Sequence, residues 1–122
     1  MTTSEIAHRL VELCRASKYA EAQNELYSED AKSIEPDFAP EPIVQGRDAL
    51  NGKAAFWEQN FEEHSNDISD PVIAGNYFSI SFTVEVTDKN SGARFPMTEI
   101  AVFHVKDGKI DAEQFFYENM QA

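Results

Sequence analysis

Phe78-Ser79-Ile80-Ser81-Phe82-Thr83-Val84-Glu85-Val86 alternates apolar and polar residues without a break. Side chains on a strand point to opposite faces in turn, so this pattern predicts a strand with one face buried and one face wet. Downstream, Lys89-Asn90-Ser91-Gly92 has turn composition, Phe95 to Val105 continues as a second long strand, and Asp107-Gly108 marks a hairpin before a third strand, Lys109 to Tyr117. Upstream the period changes to that of a helix. Thr2, with Glu5 three residues on, suits a helix N-cap, and Ile6, Leu10, Leu13 and Cys14 share one face. A second helix is expected from Tyr19 to Tyr27, ended by Ser28-Glu29-Asp30, and a short strand from Ala31 to Glu35. Pro36, Pro40 and Pro42 impose an irregular loop. Gly46-Arg47-Asp48 starts a third helix, with Leu50, Ala54, Phe56, Trp57 and Phe61 as its apolar face, and a polar loop is expected around Ser65 to Asp70. Helices first and a meander of long strands last describe a segregated α+β domain, expected to span 1–122.

With 122 residues and 42% hydrophobic composition the chain can bury one core. The lone Cys14 leaves no internal disulfide and suits a reducing, cytoplasmic location. No signal peptide or membrane-spanning stretch is recognisable. A net charge of −12, from 22 acidic and 10 basic residues, disfavours nucleic acid and anionic membranes as partners.

The strand from Phe95 is apolar on both faces. Met97, Ala101, Phe103 and Val105 line one; Ile100 and Val102, joined by Phe116 of the last strand, lie on the other. Three helices can cover only one face of the sheet, so a homodimer packed sheet against sheet is expected.

In order, Tyr19-Ala20-Glu21-Ala22 leading to Leu26-Tyr27-Ser28-Glu29-Asp30-Ala31, then Gly46-Arg47-Asp48-Ala49-Leu50, then Val105-Lys106-Asp107-Gly108-Lys109-Ile110 with Phe115-Phe116-Tyr117-Glu118, resemble the NTF2-like superfamily. Within it the likeness is to the SnoaL-like and ketosteroid-isomerase-like proteins. The resemblance implies a cone-shaped fold whose strongly curved antiparallel sheet wraps three N-terminal helices and leaves an apolar pocket. It also implies frequent dimerisation through the sheet. It leaves the activity open, because the superfamily holds isomerases, cyclases, dehydratases, epoxide hydrolases and non-catalytic binders.

Three carboxylates are candidate catalytic groups. Glu35, an acid followed by Pro36, matches the place where ketosteroid-isomerase-like proteins carry their proton-shuttling carboxylate; otherwise it is a solvated loop residue. Glu99 shares a strand face with Met97, Ala101 and Phe103, while Glu113 alternates with Phe115 and Tyr117, a row that the resemblance places on the pocket side. Two such acids facing one apolar cavity raise each other's pKa, unless one is solvated or pairs with Arg94 or Lys53. Phe56, Trp57, Phe61, Ile80, Phe82 and Phe103, with Ala101, Phe115 and Tyr117, are candidate walls for a small apolar ligand.

Departures from the isomerase pattern bear on the reaction. Ketosteroid isomerase adds an oxyanion hole of a tyrosine and a protonated aspartate; the matching positions here are Leu10 and Ala101. Losing one such donor costs roughly 3 kcal/mol of transition-state stabilisation, so steroid isomerisation is not expected. The close Asp-Arg-Asp set of epoxide-hydrolase relatives is also missing. Tyr117, Tyr19 and Tyr27 are alternative hydroxyl donors. His8, His64 and His104 are scattered and lack metal-ligand spacing, Cys14 reads as a small apolar core residue, and no glycine-rich phosphate loop occurs, so neither metal nor cofactor is expected. Two readings remain: a cofactor-independent isomerase, cyclase or dehydratase acting on a small apolar carbonyl compound, or a non-catalytic hydrophobic-ligand-binding or dimeric interaction module.

Overall fold

The computed structural model describes residues 1–119. Helix α1 (Thr3–Arg15) begins at the expected cap: the Thr2 hydroxyl accepts from the Glu5 amide while the Glu5 carboxylate accepts from the Thr2 amide. Its buried stripe is Ile6, Ala7, Leu10, Val11, Leu13 and Cys14. Helix α2 (Tyr19–Leu26) passes directly into β1 (Tyr27–Ile34), so Tyr27 opens a strand rather than closing a helix. The expected strand at Ala31 therefore starts four residues earlier, and Ser28-Glu29-Asp30 belongs to it. These polar side chains are tolerated because this part of β1 faces water on its outer side.

After the proline loop come β2 (Ile43–Gln45) and α3 (Arg47–Asn60). Among the expected face of α3, Leu50 is fully buried and Ala54 and Trp57 are half-buried, but Phe56 is 64% exposed. Phe56 precedes Trp57 by one residue and so points about a quarter-turn away from the buried stripe. Phe61 is not in the helix; it opens β3 (Phe61–Ile68), which replaces the expected polar loop. Only Ile68 of β3 is buried. A polar edge strand lacks the alternation that betrays an inner one, and its charges discourage edge-to-edge pairing.

The remaining strands are β4 (Val72–Ala74), β5 (Tyr77–Asp88), β6 (Arg94–Lys106) and β7 (Lys109–Phe116). The β6–β7 turn holds Asp107 and Gly108 at φ 52° and 74°, as a tight hairpin requires. The described strands form one curved, unclosed sheet in the order β2-β1-β7-β6-β5-β3, with β4 also on β5. Among the described residues every pairing is antiparallel except β1 with β7, which run parallel, so the sheet is mixed. The inward row of β5 and β6 (Phe78, Ile80, Phe103 and Val105) meets α1 and α2 in the core, with Phe78 and Phe103 stacked at 4.8 Å. Among the described residues nothing covers the opposite face of β6 and β7, and Ile100 and Phe116 are about half exposed there.

Thr2→Ala removes one half of the capping box. It is expected to destabilise the fold by about 1 kcal/mol, read as a lowered urea midpoint with unchanged slope.

Candidate functional site

Between the inner face of the sheet and the helices lies a cavity of about 320 Å³. Rows of the β5–β6 ladder place it: Phe82 lies opposite Glu99 and Val84 opposite Met97, and all four line the cavity. The next row, Ile80 opposite Ala101, is fully buried core, and Phe103 beyond it lines the cavity again.

Glu113, on β7, is buried at one end of the cavity. Its register partner on the parallel strand β1 is Ser33, whose hydroxyl donates to Oε2 at 2.7 Å. The Tyr27 hydroxyl, also from β1, donates to Oε1. Lys53 of α3 donates to Ser33 Oγ at 2.8 Å and to Glu35 Oε1 at 2.9 Å, and its ammonium sits 5.6 Å from the Phe115 ring centroid. Tyr117 hydrogen-bonds Glu35 from the other side and meets Phe38 of the proline loop edge to face. At the far end, Glu63 of β3 accepts from the Tyr19 and Ser17 hydroxyls. Three tyrosines thus each serve one glutamate.

Glu99 is different. Among the described residues its carboxyl makes no hydrogen bond or ion pair, although it faces the cavity. Burial, then the charges of Glu35 and Glu113, opposed by Lys53, push its pKa up to about 7. At neutral pH it is therefore close to half ionised and can both take and give a proton. Burial also raises Glu113, against the hydrogen bonds from Ser33 and Tyr27 that favour its charged form. The Tyr27 phenol is held well above its ordinary range by burial and by Glu113. Burial pushes the Cys14 thiol up to about 12, which leaves it an inert wall residue. Among the described residues no group of His, Cys, Asp and Glu has the arrangement of a metal site.

Residues 1–117 match the SnoaL-like domain. The chain belongs to the SnoaL-like family. Among solved structures, a Mesorhizobium loti protein described as a candidate SnoaL-like polyketide cyclase is 34% identical. It superposes with a TM-score of 0.91 over 96% of this chain and 100% of its own. Two more distant structures share the fold. One is a Catenulispora acidiphila protein with a ketosteroid isomerase-like fold, solved with trimethylamine, at 18% identity and TM-score 0.75 over 96% of this chain and 88% of its own. The other is a candidate polyketide cyclase from Pseudomonas putida, at 19% identity and TM-score 0.74 over 99% of this chain and 94% of its own. No curated protein matches.

In this SnoaL-like protein, Glu35, Glu99 and Glu113 all reach the one cavity, as do Trp57, Phe82, Phe103, Phe115 and Tyr117. Phe56 does not, because it projects into solvent; Phe61 lies behind Trp57, stacked on it at 4.5 Å. Ile80 and Ala101 do not line it either; both are fully buried in the core, although Phe103 in the next row reaches the cavity. Sequence reasoning missed Ser33, Glu63 and Gln23, and weighed Lys53 only as a neutralising partner. Ser33 could have been found from its position two residues before Glu35 on the same strand face, and Gln23 from its position one helical turn after Tyr19.

The raised pKa of Glu99 links stability to pH with a definite sign. Protonated Glu99 is favoured in the folded state, so its contribution is full below the ordinary value of 4.5 and is lost as pH climbs towards 7. Glu99→Gln, which mimics the protonated form, should match the wild type in acid. It should become more stable than wild type by up to roughly 3 kcal/mol above pH 7, as measured by urea unfolding across that range.

Proposed function

We propose that the cavity is the active site of a cofactor-independent isomerase, cyclase or dehydratase. The substrate is a small apolar carbonyl compound, and the chemistry is carboxylate acid/base catalysis. The observation that carries this reading is Glu99: a carboxyl on the cavity wall, without a partner among the described residues, whose pKa burial and neighbouring carboxylates push up to about 7. Sequence reasoning put the proton shuttle at Glu35, but Glu35 is engaged by Lys53 and Tyr117. Glu99 is the better base because nothing among the described residues competes for its lone pairs. It removes a proton from the carbon beside the carbonyl and returns it at another carbon or to a leaving hydroxyl. Lys53, which keeps a third N–H beyond those given to Glu35 and Ser33, is the donor on the cavity wall for the oxygen on which charge develops, in place of the donors missing at Leu10 and Ala101. The names of related structures, candidate polyketide cyclases, suggest where to look for such carbonyl compounds.

The test is a panel of apolar ketones, lactones and polyketide-like aromatics, screened first by thermal shift. A ligand at about 100 times its dissociation constant adds roughly 2.7 kcal/mol of stability. For compounds that are turned over, kcat/KM should rise with an inflection near pH 7. Glu99→Gln should lower kcat by about 10²- to 10⁴-fold while binding survives. Glu35→Gln removes a neighbouring charge and should move the inflection to lower pH. The second reading, a ligand-binding module without catalysis, draws on the fact that Tyr27, Tyr117 and Lys53 already donate to glutamates. Binding without turnover, unchanged in Glu99→Gln, would decide for it.

The uncovered outer face is proposed to pack against a second copy. Ile100 and Phe116, register partners on β6 and β7, are each about half exposed on this face, and the half-buried Val102 continues it along β6, an apolar surface of the kind that marks an interface. Sedimentation at micromolar concentration should give about twice the monomer mass, and Phe116→Glu should give a folded monomer. A wild type that sediments as a monomer would remove this part of the reading.

A further inference from the structure

Glu113 is a candidate acid by sequence, yet its carboxyl has no oxygen to spare. Tyr27 donates to Oε1, Ser33 donates to Oε2, and both Glu113 and Ser33 are buried. A carboxyl is costly to bury, and an apolar residue of like size would fill the same space. What the carboxyl adds is direction. A serine hydroxyl has one proton and two lone pairs. Ser33 gives its proton to Glu113 at 2.7 Å, so a lone pair is turned to Lys53, whose ammonium donates to it at 2.8 Å. Without an acceptor at position 113 that hydroxyl is free to rotate.

Lysine is a poor donor for a fixed oxygen unless it is held, because its four-carbon stem is flexible and its N–H bonds rotate. Here the ammonium is held twice, by Ser33 and by Glu35 at 2.9 Å. Two fixed N–H bonds on a tetrahedral nitrogen fix the direction of the third. The Phe115 ring, its centroid 5.6 Å from the nitrogen, stands beside the ammonium on the cavity wall. Ser33 lies opposite Glu113 in the β1–β7 ladder, so the alignment is carried by paired strands rather than by a loop.

We propose that Ser33 and Glu113 are positioning residues for Lys53. Glu113 fixes the Ser33 hydroxyl, Ser33 and Glu35 fix the ammonium, and its third N–H is thereby preset for the carbonyl oxygen of the substrate. A donor in place before reaction stabilises developing charge without having to reorganise. The proposal rests on the reading of this cavity as an acid/base site. It places Glu113 behind the donor, while the proton transfer belongs to Glu99.

Exchange of lysine ammonium protons with water, followed by NMR on protein carrying isotope-labelled lysine in cold, mildly acidic solution, tests this without a substrate. Lys53→Met identifies the Lys53 signal. In the wild type it should exchange about fivefold or more slowly than the signals of the exposed Lys18 and Lys106. Ser33→Ala and Glu113→Leu should each speed it about threefold or more, whereas Glu113→Gln, which keeps an acceptor for Ser33, should leave it slow. Should Glu113→Leu fail to fold, Ser33→Ala and Glu113→Gln carry the comparison. Wild-type exchange as fast as that of Lys18, exchange indifferent to Ser33→Ala, or Glu113→Gln as fast as Ser33→Ala would each overturn the proposal. For a carbonyl compound that is turned over, Ser33→Ala should lower kcat about tenfold with KM little changed. The inflection near pH 7 should stay in place, because no charge is removed. If Glu99→Gln abolishes turnover while the exchange order fails, only the positioning role falls. If the exchange order holds and no carbonyl compound is turned over, the held ammonium stands and the catalytic reading falls.

Discussion

A carboxyl group placed under a sheet must be met by hydrogen-bond donors or it cannot remain there as an anion. In this protein that requirement is concentrated at Glu113. Both of its oxygens accept hydroxyls, and both hydroxyls come from β1. The parallel pairing of β1 with β7 is what sets Ser33 opposite Glu113 in the ladder. Lys53 then reaches from α3 to Ser33, so a helix and two strands converge on one buried acid. The same lysine bonds Glu35, which fixes the first residue after β1 at the cavity mouth. The polar network and the exceptional strand pairing thus depend on each other.

Acids of one residue type consequently divide the roles among themselves. Glu35, Glu63 and Glu113 are each bonded to a tyrosine hydroxyl, and Glu35 also to an ammonium. Glu99 has no such support and feels the charges of its neighbours. Identical side chains therefore have different proton affinities because of where their neighbours stand. An apolar wall strengthens each of these effects, since low polarity weakens the screening of both attraction and repulsion.

The fold was legible in the sequence where one face of an element is buried and the other is wet. The alternation of Phe78 to Val86, the helical stripe of Ile6, Leu10, Leu13 and Cys14, the Thr2 cap and the Asp107-Gly108 turn are local, and the structure contains each of them. Illegible stretches were those whose pairing is non-local. The polar strand from Phe61 to Ile68 exists because β5 lies beside it, and no periodicity in its own residues announces that. Tyr27 looks like the end of a helix until β7 offers it a partner.

The same distinction holds for the site. By itself the sequence determined that Glu99 shares a face with Met97, Ala101 and Phe103, and Glu113 one with Phe115 and Tyr117, because side-chain direction follows from the two-residue period of a strand; the family resemblance turned the second row towards the pocket. It also determined that Trp57, Phe82, Phe103, Phe115 and Tyr117 were available as walls. Only the tertiary structure decided that Glu99 has no partner among the described residues while Glu35 and Glu113 are satisfied, that Phe56 faces water, and that Glu63 and Gln23 join the cavity. Those outcomes turn on contacts between residues far apart in the chain, such as Tyr27 with Glu113 and Tyr19 with Glu63. Period and propensity act within a few residues, whereas a carboxyl's proton affinity is set by whatever the fold brings within a few ångströms of it.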